Sequence, residues 1–116
     1  MLHHVSLEVL PDDAARFGEM LGAIGFEPVE APEALGGYVH WFGRAGTQVH
    51  LILTEGASAP VLGHAAFAVD DFDATVAGLR ERDFEVEDAR ELWGEPRAFI
   101  LAPSGHRLEV MGAPPP

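Results

Sequence analysis

The sequence predicts an α+β fold made of two tandem βαβββ modules, residues 2–54 and 62–112, forming a curved, cavity-lining mixed sheet with helices on its outer face. Three observations predict it. The hydrophobic period switches from two to that of a helix and back again in each half. The order of these switches is the same in both halves. The halves also superimpose at a nearly constant offset, with His4 on His64, Val9 on Val69, Asp13 on Asp73, Ala14 on Ala74, Gly18 on Gly78, and 46–51 on 105–110. Polar residues thereby fall at matching positions inside apolar strands, which an internal duplication explains and chance patterning does not.

Residues 2–10 alternate as a strand does, with Val5, Leu7 and Val9 on one face and His4, Ser6 and Glu8 on the other. Pro11-Asp12-Asp13 breaks that period. Ala14, Phe17, Leu21 and Ile24 then recur at helical spacing, with Asp12 as the expected cap and Gly22 or Gly25 near the helix exit. This helix is expected to cover the face of Val5, Leu7 and Val9. Strands are predicted over 26–30, 38–42 and 47–54, separated by a loop rich in Pro, Ala and Gly and by a Gly-Arg-Ala-Gly turn. The second half repeats the order: a strand over 63–69, a helix over 71–82 using Phe72, Val76 and Leu79, then strands near 84–87, 97–101 and 107–111. The closing Pro114-Pro115-Pro116 is expected to lie outside the fold.

The 116 residues suit one domain, 1–116, and a 47% hydrophobic fraction suits a packed core. There is no cysteine, so thiolate metal sites and cysteine nucleophiles are excluded. There is no lysine either, and all seven basic residues are arginine, which excludes Schiff-base chemistry on this chain. Nineteen acidic residues bring the formal charge to -12, which repels phosphate backbones and anionic lipid. Nucleic acid and membranes are therefore not expected partners. The N-terminal residues carry no basic and apolar signal pattern, and a cytoplasmic location is the expectation.

Strand parity sorts the polar residues. On 47–54, Gln48, His50 and Ile52 oppose Val49, Leu51 and Leu53; on the last strand Arg107, Glu109 and Met111 oppose Leu108 and Val110. With helices covering one face of each module, His4, His50, His64 and Glu109 are expected to face one concavity. Imidazole and carboxylate donors suit Zn, Ni, Fe, Mn or Co, and such an ion acts as a Lewis acid toward a bound oxygen. Glu109, Glu8 and Gln48 are the candidate catalytic residues: Glu8 as a base or a solvated strand-end carboxylate, Gln48 as a group that orients an oxygen-rich substrate. Arg107 either steadies the Glu109 carboxylate or makes a surface ion pair. His3 reads as a strand terminator, His40 as a residue in the pocket or at its edge, and His106 as part of a turn. Tyr38, Trp41, Phe42, Trp93 and Phe99 are either pocket wall or sheet core and loop anchors. Phosphate-binding glycine loops, serine nucleophile elbows and HExxH helices are absent from the sequence.

The segments His3-His4-Val5-Ser6-Leu7-Glu8-Val9, Val49-His50-Leu51, 63–71 and 103–110 together resemble the vicinal oxygen chelate superfamily, which includes glyoxalase I, methylmalonyl-CoA epimerase, extradiol dioxygenases and bleomycin or fosfomycin resistance proteins. The resemblance covers residues 2–112. It implies paired modules around a sheet-lined cavity, often completed by a homodimer, with metal ligands on the first and last strand of each module: His4 and His50, then His64 and Glu109. The position of His50 is a glutamate in glyoxalase I and a glutamine in the epimerase. The extradiol dioxygenases use two histidines and a glutamate, similar to His4, His64 and Glu109 here. Fosfomycin resistance enzymes resemble the same triad and need a cationic pocket, which in this lysine-free chain would rest on arginines.

The function so implied is a divalent-metal-dependent, glyoxalase-like enzyme that stabilises an enediolate or oxyanion of a small oxygen-containing substrate, as an isomerase, epimerase or lyase. One alternative is an Fe(II)-dependent dioxygenase. Another is a non-enzymatic small-molecule or drug-binding resistance protein that uses Trp41 or Trp93 and needs no metal.

Overall fold

A computed structural model describes all residues, 1–116. It divides into two compact units, Met1–Ala59 and Pro60–Pro116. The first contains β1 (His4–Val9), α1 (Ala14–Ala23), β2 (Glu27–Val29), β3 (Val39–Arg44) and β4 (Thr47–Leu53). The second contains β5 (Ala65–Ala68), α2 (Phe72–Glu81), β6 (Glu85–Ala89), β7 (Arg97–Leu101) and β8 (Arg107–Met111). Each unit has its own four-stranded mixed sheet, in the orders β1-β4-β3-β2 and β5-β8-β7-β6. In each, the first strand runs parallel to the last and the other pairs are antiparallel. The architecture is thus α+β with two βαβββ modules and no closed barrel.

Parity decides what each face does. Val9, Phe42, Val49 and Leu51 are buried on the side of α1, which contributes Phe17, Met20 and Leu21. Phe42 reaches so close to the helix that a Cβ on Gly18 would stand 2.9 Å from its ring. In the second unit Val76 and Leu79 of α2 join Phe67, Val86, Ile100, Leu108 and Val110. Each fully buried aliphatic side chain contributes roughly 1.5–3 kcal/mol, enough in aggregate to fix which sheet face turns inward. The opposite faces carry His4, Ser6, Trp41 and His50 in one unit, and Phe99 and Glu109 in the other.

Several local expectations are corrected. Asp12 does not cap α1; it lies inside a short 3-10 turn, Pro11–Asp13, that precedes the helix, and the residue before α1 makes no side-chain cap bond. Proline at the start of that turn supplies the fixed φ that tightens the entry. The capped helix is the second one, where Asp71 accepts from the Ala74 amide at 3.0 Å. The strand predicted from residue 63 starts at Ala65, leaving His64 just ahead of the ladder. The loop rich in Pro, Ala and Gly folds into 3-10 turns over Glu33–Tyr38, kinked at Gly36. Ala45 and Gly46, with φ 49° and 84°, form the two-residue turn that joins β3 to β4 in a twist matching the strands. No helix is long and apolar enough to cross a membrane.

Candidate functional site

In the second unit, β8 brings Glu109 into the sheet face opposite α2, and the register pairs it with Phe99 of β7 and Ala66 of β5. The alanine leaves room for a neighbouring ring. His64 Nε2 occupies it, 3.0 Å from Glu109 Oε1. Its Nδ1 lies 3.0 Å from the Leu62 carbonyl oxygen, and its ring meets Phe99 edge to face at 5.0 Å. Both partners of the imidazole are acceptors, so each contact is a hydrogen bond where the ring nitrogen facing it carries the proton. Arg97 Nε donates to the other carboxylate oxygen, Oε2, at 2.9 Å. Glu109 is only 5% exposed. Burial alone would push its carboxyl up, but hydrogen bonds and charge from Arg97 and His64 outweigh that and hold it below the ordinary carboxylate range.

The matching positions of the first unit hold a stack of three rings. His50 lies between Trp41, at 4.0 Å and 4° from parallel, and His4, at 4.1 Å and 19°. His50 Nε2 donates to Gln48 Oε1 at 2.7 Å, which leaves Nδ1 as its lone-pair nitrogen. Burial, followed by the charges of His4 and His3, lowers the His50 pKa and favours the neutral ring. Beside the stack opens a cavity of about 230 Å³ lined by Ser6, Tyr38, Val39, Trp41, His50 and Ile52.

These distances bear directly on metal binding. Two donors about 2.1 Å from one ion at a right angle stand about 3.0 Å apart, the separation of His64 Nε2 and Glu109 Oε1. The Leu62 carbonyl supplies the orienting bond to the other ring nitrogen that metal-binding histidines use. The His64 and Glu109 pair therefore fits an ion. His4 and His50 are arranged differently: an imidazole ligates in its own plane, and the lone pairs of two stacked rings lie in separate parallel planes. One of the two can ligate a given ion as they stand, and both can do so only after a ring turns. Neither unit by itself gathers three histidine or acidic side chains into a metal-holding group.

The other singled-out residues are placed as follows. Glu8 is exposed on β1, its Oε1 accepting from the Ser58 amide at 3.1 Å. Arg107 does not steady Glu109; its guanidinium lies 4.4 Å from the Phe99 ring centre and 3.7 Å from Glu87. His3 is more than a strand terminator, since its Nδ1 lies 3.0 Å from that of His4 and its carbonyl accepts from the Gln48 amide. His40 is exposed and borders a second cavity with Val29, Val39 and Trp41. His106 follows the 3-10 turn Pro103–Gly105 and is buried. Phe42 is core, and Trp93 is a loop anchor that donates to the Ala113 carbonyl at 2.9 Å. The residue sequence reasoning missed is Arg97. Its signal was parity: it shares a face with Phe99 on the strand beside Glu109.

Paired βαβββ units that turn histidine and carboxylate side chains away from their helices define a protein of the two-module α+β type. The chain belongs to the Glyoxalase/Bleomycin resistance protein/Dioxygenase superfamily, whose family model matches residues 3–110. Among solved structures it is similar to a glyoxalase family protein from Bacillus anthracis, 26% identical with a TM-score of 0.83 over 96% of this chain and 93% of that one. It is similar in fold to the oxidase ChaP-H2, 23% identical with a TM-score of 0.79 over 99% of this chain and 94% of that one. The fosfomycin resistance protein FosX from Listeria monocytogenes shares the fold at 15% identity, with a TM-score of 0.78 over 98% of this chain and 91% of that one. No functionally curated protein matches the chain.

Proposed function

We propose that the protein is a divalent-metal-dependent enzyme that stabilises an enediolate or related oxyanion of a small oxygen-containing substrate, as an isomerase, epimerase or lyase does. His4, His64 and Glu109 are its metal ligands, with His50 a fourth once its ring leaves the stack. The observation that carries this reading is the 3.0 Å approach of His64 Nε2 to Glu109 Oε1 with Nδ1 tied to a backbone carbonyl. The ion, one of Zn, Ni, Fe, Mn or Co, supplies Lewis acidity when bound. The remaining ligands come from the first unit, of the same chain or of a second copy in a homodimer. In this reading Glu8 moves a substrate proton and Gln48 orients a substrate oxygen, while the Trp41 and His50 wall excludes water.

The test is metal content after supplementation of tag-free protein with each ion in turn. About one ion per chain is expected, with loss in His64→Ala and in the double variant His4→Ala/Glu109→Ala. Wild type that stays metal-free, or variants that retain the ion, would sink the proposal.

A second reading, Fe(II)-dependent dioxygen chemistry, is favoured by the stacking of His50. Three ligands leave more open positions than four, which suits an ion that takes both an organic substrate and dioxygen. Anaerobic loading with Fe(II) followed by oxygen-uptake assays over a catechol panel separates the two. If the protein takes up no metal yet a small aromatic ligand shifts its tryptophan emission, the non-enzymatic binding reading replaces both.

A further inference from the structure

Arg97 is the first residue of β7, its side chain only 13% exposed, and it reaches two places at once. Its Nε donates to Glu109 Oε2 at 2.9 Å, and its Nη1 donates at 2.9 Å to the carbonyl of Arg90, at the far end of loop 90–96. The guanidinium lies over two rings, Trp93 of that loop at 5.8 Å and Phe99 at 5.4 Å, and Phe99 in turn abuts His64. The loop is held on its other side by Trp93 donating to Ala113 and by Gly112 donating to Pro96. The guanidinium is a planar fork with donors in fixed directions, so a shift of one partner is felt by the other. With Oε2 occupied by Arg97, Glu109 has one oxygen, Oε1, to turn toward His64.

We propose that Arg97 is a positioning residue that holds Glu109 to one-oxygen presentation beside His64 and couples that carboxylate to the conformation of loop 90–96. The coupling stands on the geometry of the second unit alone. Its consequence for metal binding rests on the function proposed above, and the experiment separates the two.

Hydrogen exchange of the Gly112 amide and the Trp93 indole N–H, the two donors that tie loop 90–96 to the C-terminal segment, is measured in wild type, Arg97→Ala, Arg97→Lys and Glu109→Gln, each without metal and each checked for folding by circular dichroism. Protection is expected to fall about tenfold or more in Arg97→Ala and to fall by less in Glu109→Gln, where the amide oxygen still accepts from Arg97 but the charge that anchors the guanidinium is gone. Unchanged exchange in folded Glu109→Gln overturns the coupling, whatever the alanine variant does. Should Arg97→Ala fail to fold, the lysine variant and Glu109→Gln carry the test.

The same proteins are then titrated with Co(II) and followed by visible absorption. Arg97→Ala is expected to bind roughly 10–100-fold more weakly with altered band positions, and Arg97→Lys to recover part of the loss. Wild-type affinity and spectrum in Arg97→Ala overturn the positioning role while leaving the metal reading intact. Wild type that binds no Co(II) ends the metal reading, and the exchange data alone then decide whether Arg97 links the carboxylate to the loop.

Discussion

Trp41 lies flat on His50, ring centres 4.0 Å apart and planes within 4° of parallel, across the register that pairs β3 with β4. An indole at that distance reports the charge of the imidazole, because a protonated ring quenches tryptophan emission. With Trp93→Phe removing the second fluorophore, emission of Trp41 should fall on acidification with a midpoint below the ordinary histidine value of about 6.5. Burial and the neighbouring His4 and His3 set that direction. In His50→Gln the transition should disappear; its survival there would assign the quenching to another group.

Acid should destabilise the metal-free protein in two stages. His50 has a lowered pKa in the fold, so its neutral form contributes stability that is fully present above about 6.5 and is lost as pH falls through the folded value. Glu109 also has a lowered pKa, so its ionised form contributes stability present above the ordinary carboxylate value and lost as pH falls through its own folded value. Melting temperatures measured from pH 8 to pH 3 should show the first stage vanish in His50→Gln and the second in Glu109→Gln. A single stage unaffected by either substitution would refute this assignment.

Two glycines of α1 should respond in opposite directions to alanine. Gly22 has nothing within 4 Å of a built Cβ, and Gly22→Ala should stabilise by about 0.5–1 kcal/mol through helix propensity. At Gly18 the new methyl would meet Phe42 at 2.9 Å, and displacing a buried aromatic ring costs about 1–3 kcal/mol, more than the propensity gain. Urea denaturation of the two variants checks the contrast, and equal shifts would contradict the packing of Phe42 under α1.

The two helix entries should also differ. Asp71→Ala removes the acceptor of the Ala74 amide and should cost about 1 kcal/mol. Asp12→Ala, in the 3-10 turn and exposed, should change stability by less than about 0.5 kcal/mol. A larger loss at Asp12 would restore it as a cap.

The fold was legible because two periodicities, each rooted in backbone geometry, alternate in the same order twice. The strands over Arg97–Leu101 and Arg107–Met111 were read to the residue: polar and apolar positions alternate over 107–110, and 97–101 is a short apolar run opened by an arginine and closed by Ala-Pro. The start of α1 was misread because Asp12 and Asp13 are equally good cap residues, and Pro11 decides between them only through the turn it forms. Parity likewise placed His50 and Glu109 on the faces opposite the helices. It could not show that Gln48 would bond to His50, or that Arg107 would turn to Glu87 and leave Glu109 to Arg97.

By itself the sequence determined the duplicated βαβββ plan and the face on which each candidate donor lies, because strand parity and helical spacing are local properties of the chain. Only the tertiary structure decided which donors meet: His64 with Glu109, His50 between two rings, Arg97 bridging carboxylate and loop. Those pairings depend on side-chain rotamers and on strand neighbours distant in sequence. The physical reason is that a hydrogen bond or a ring stack is settled over a few ångströms among groups dozens of residues apart, a scale that periodicity does not encode.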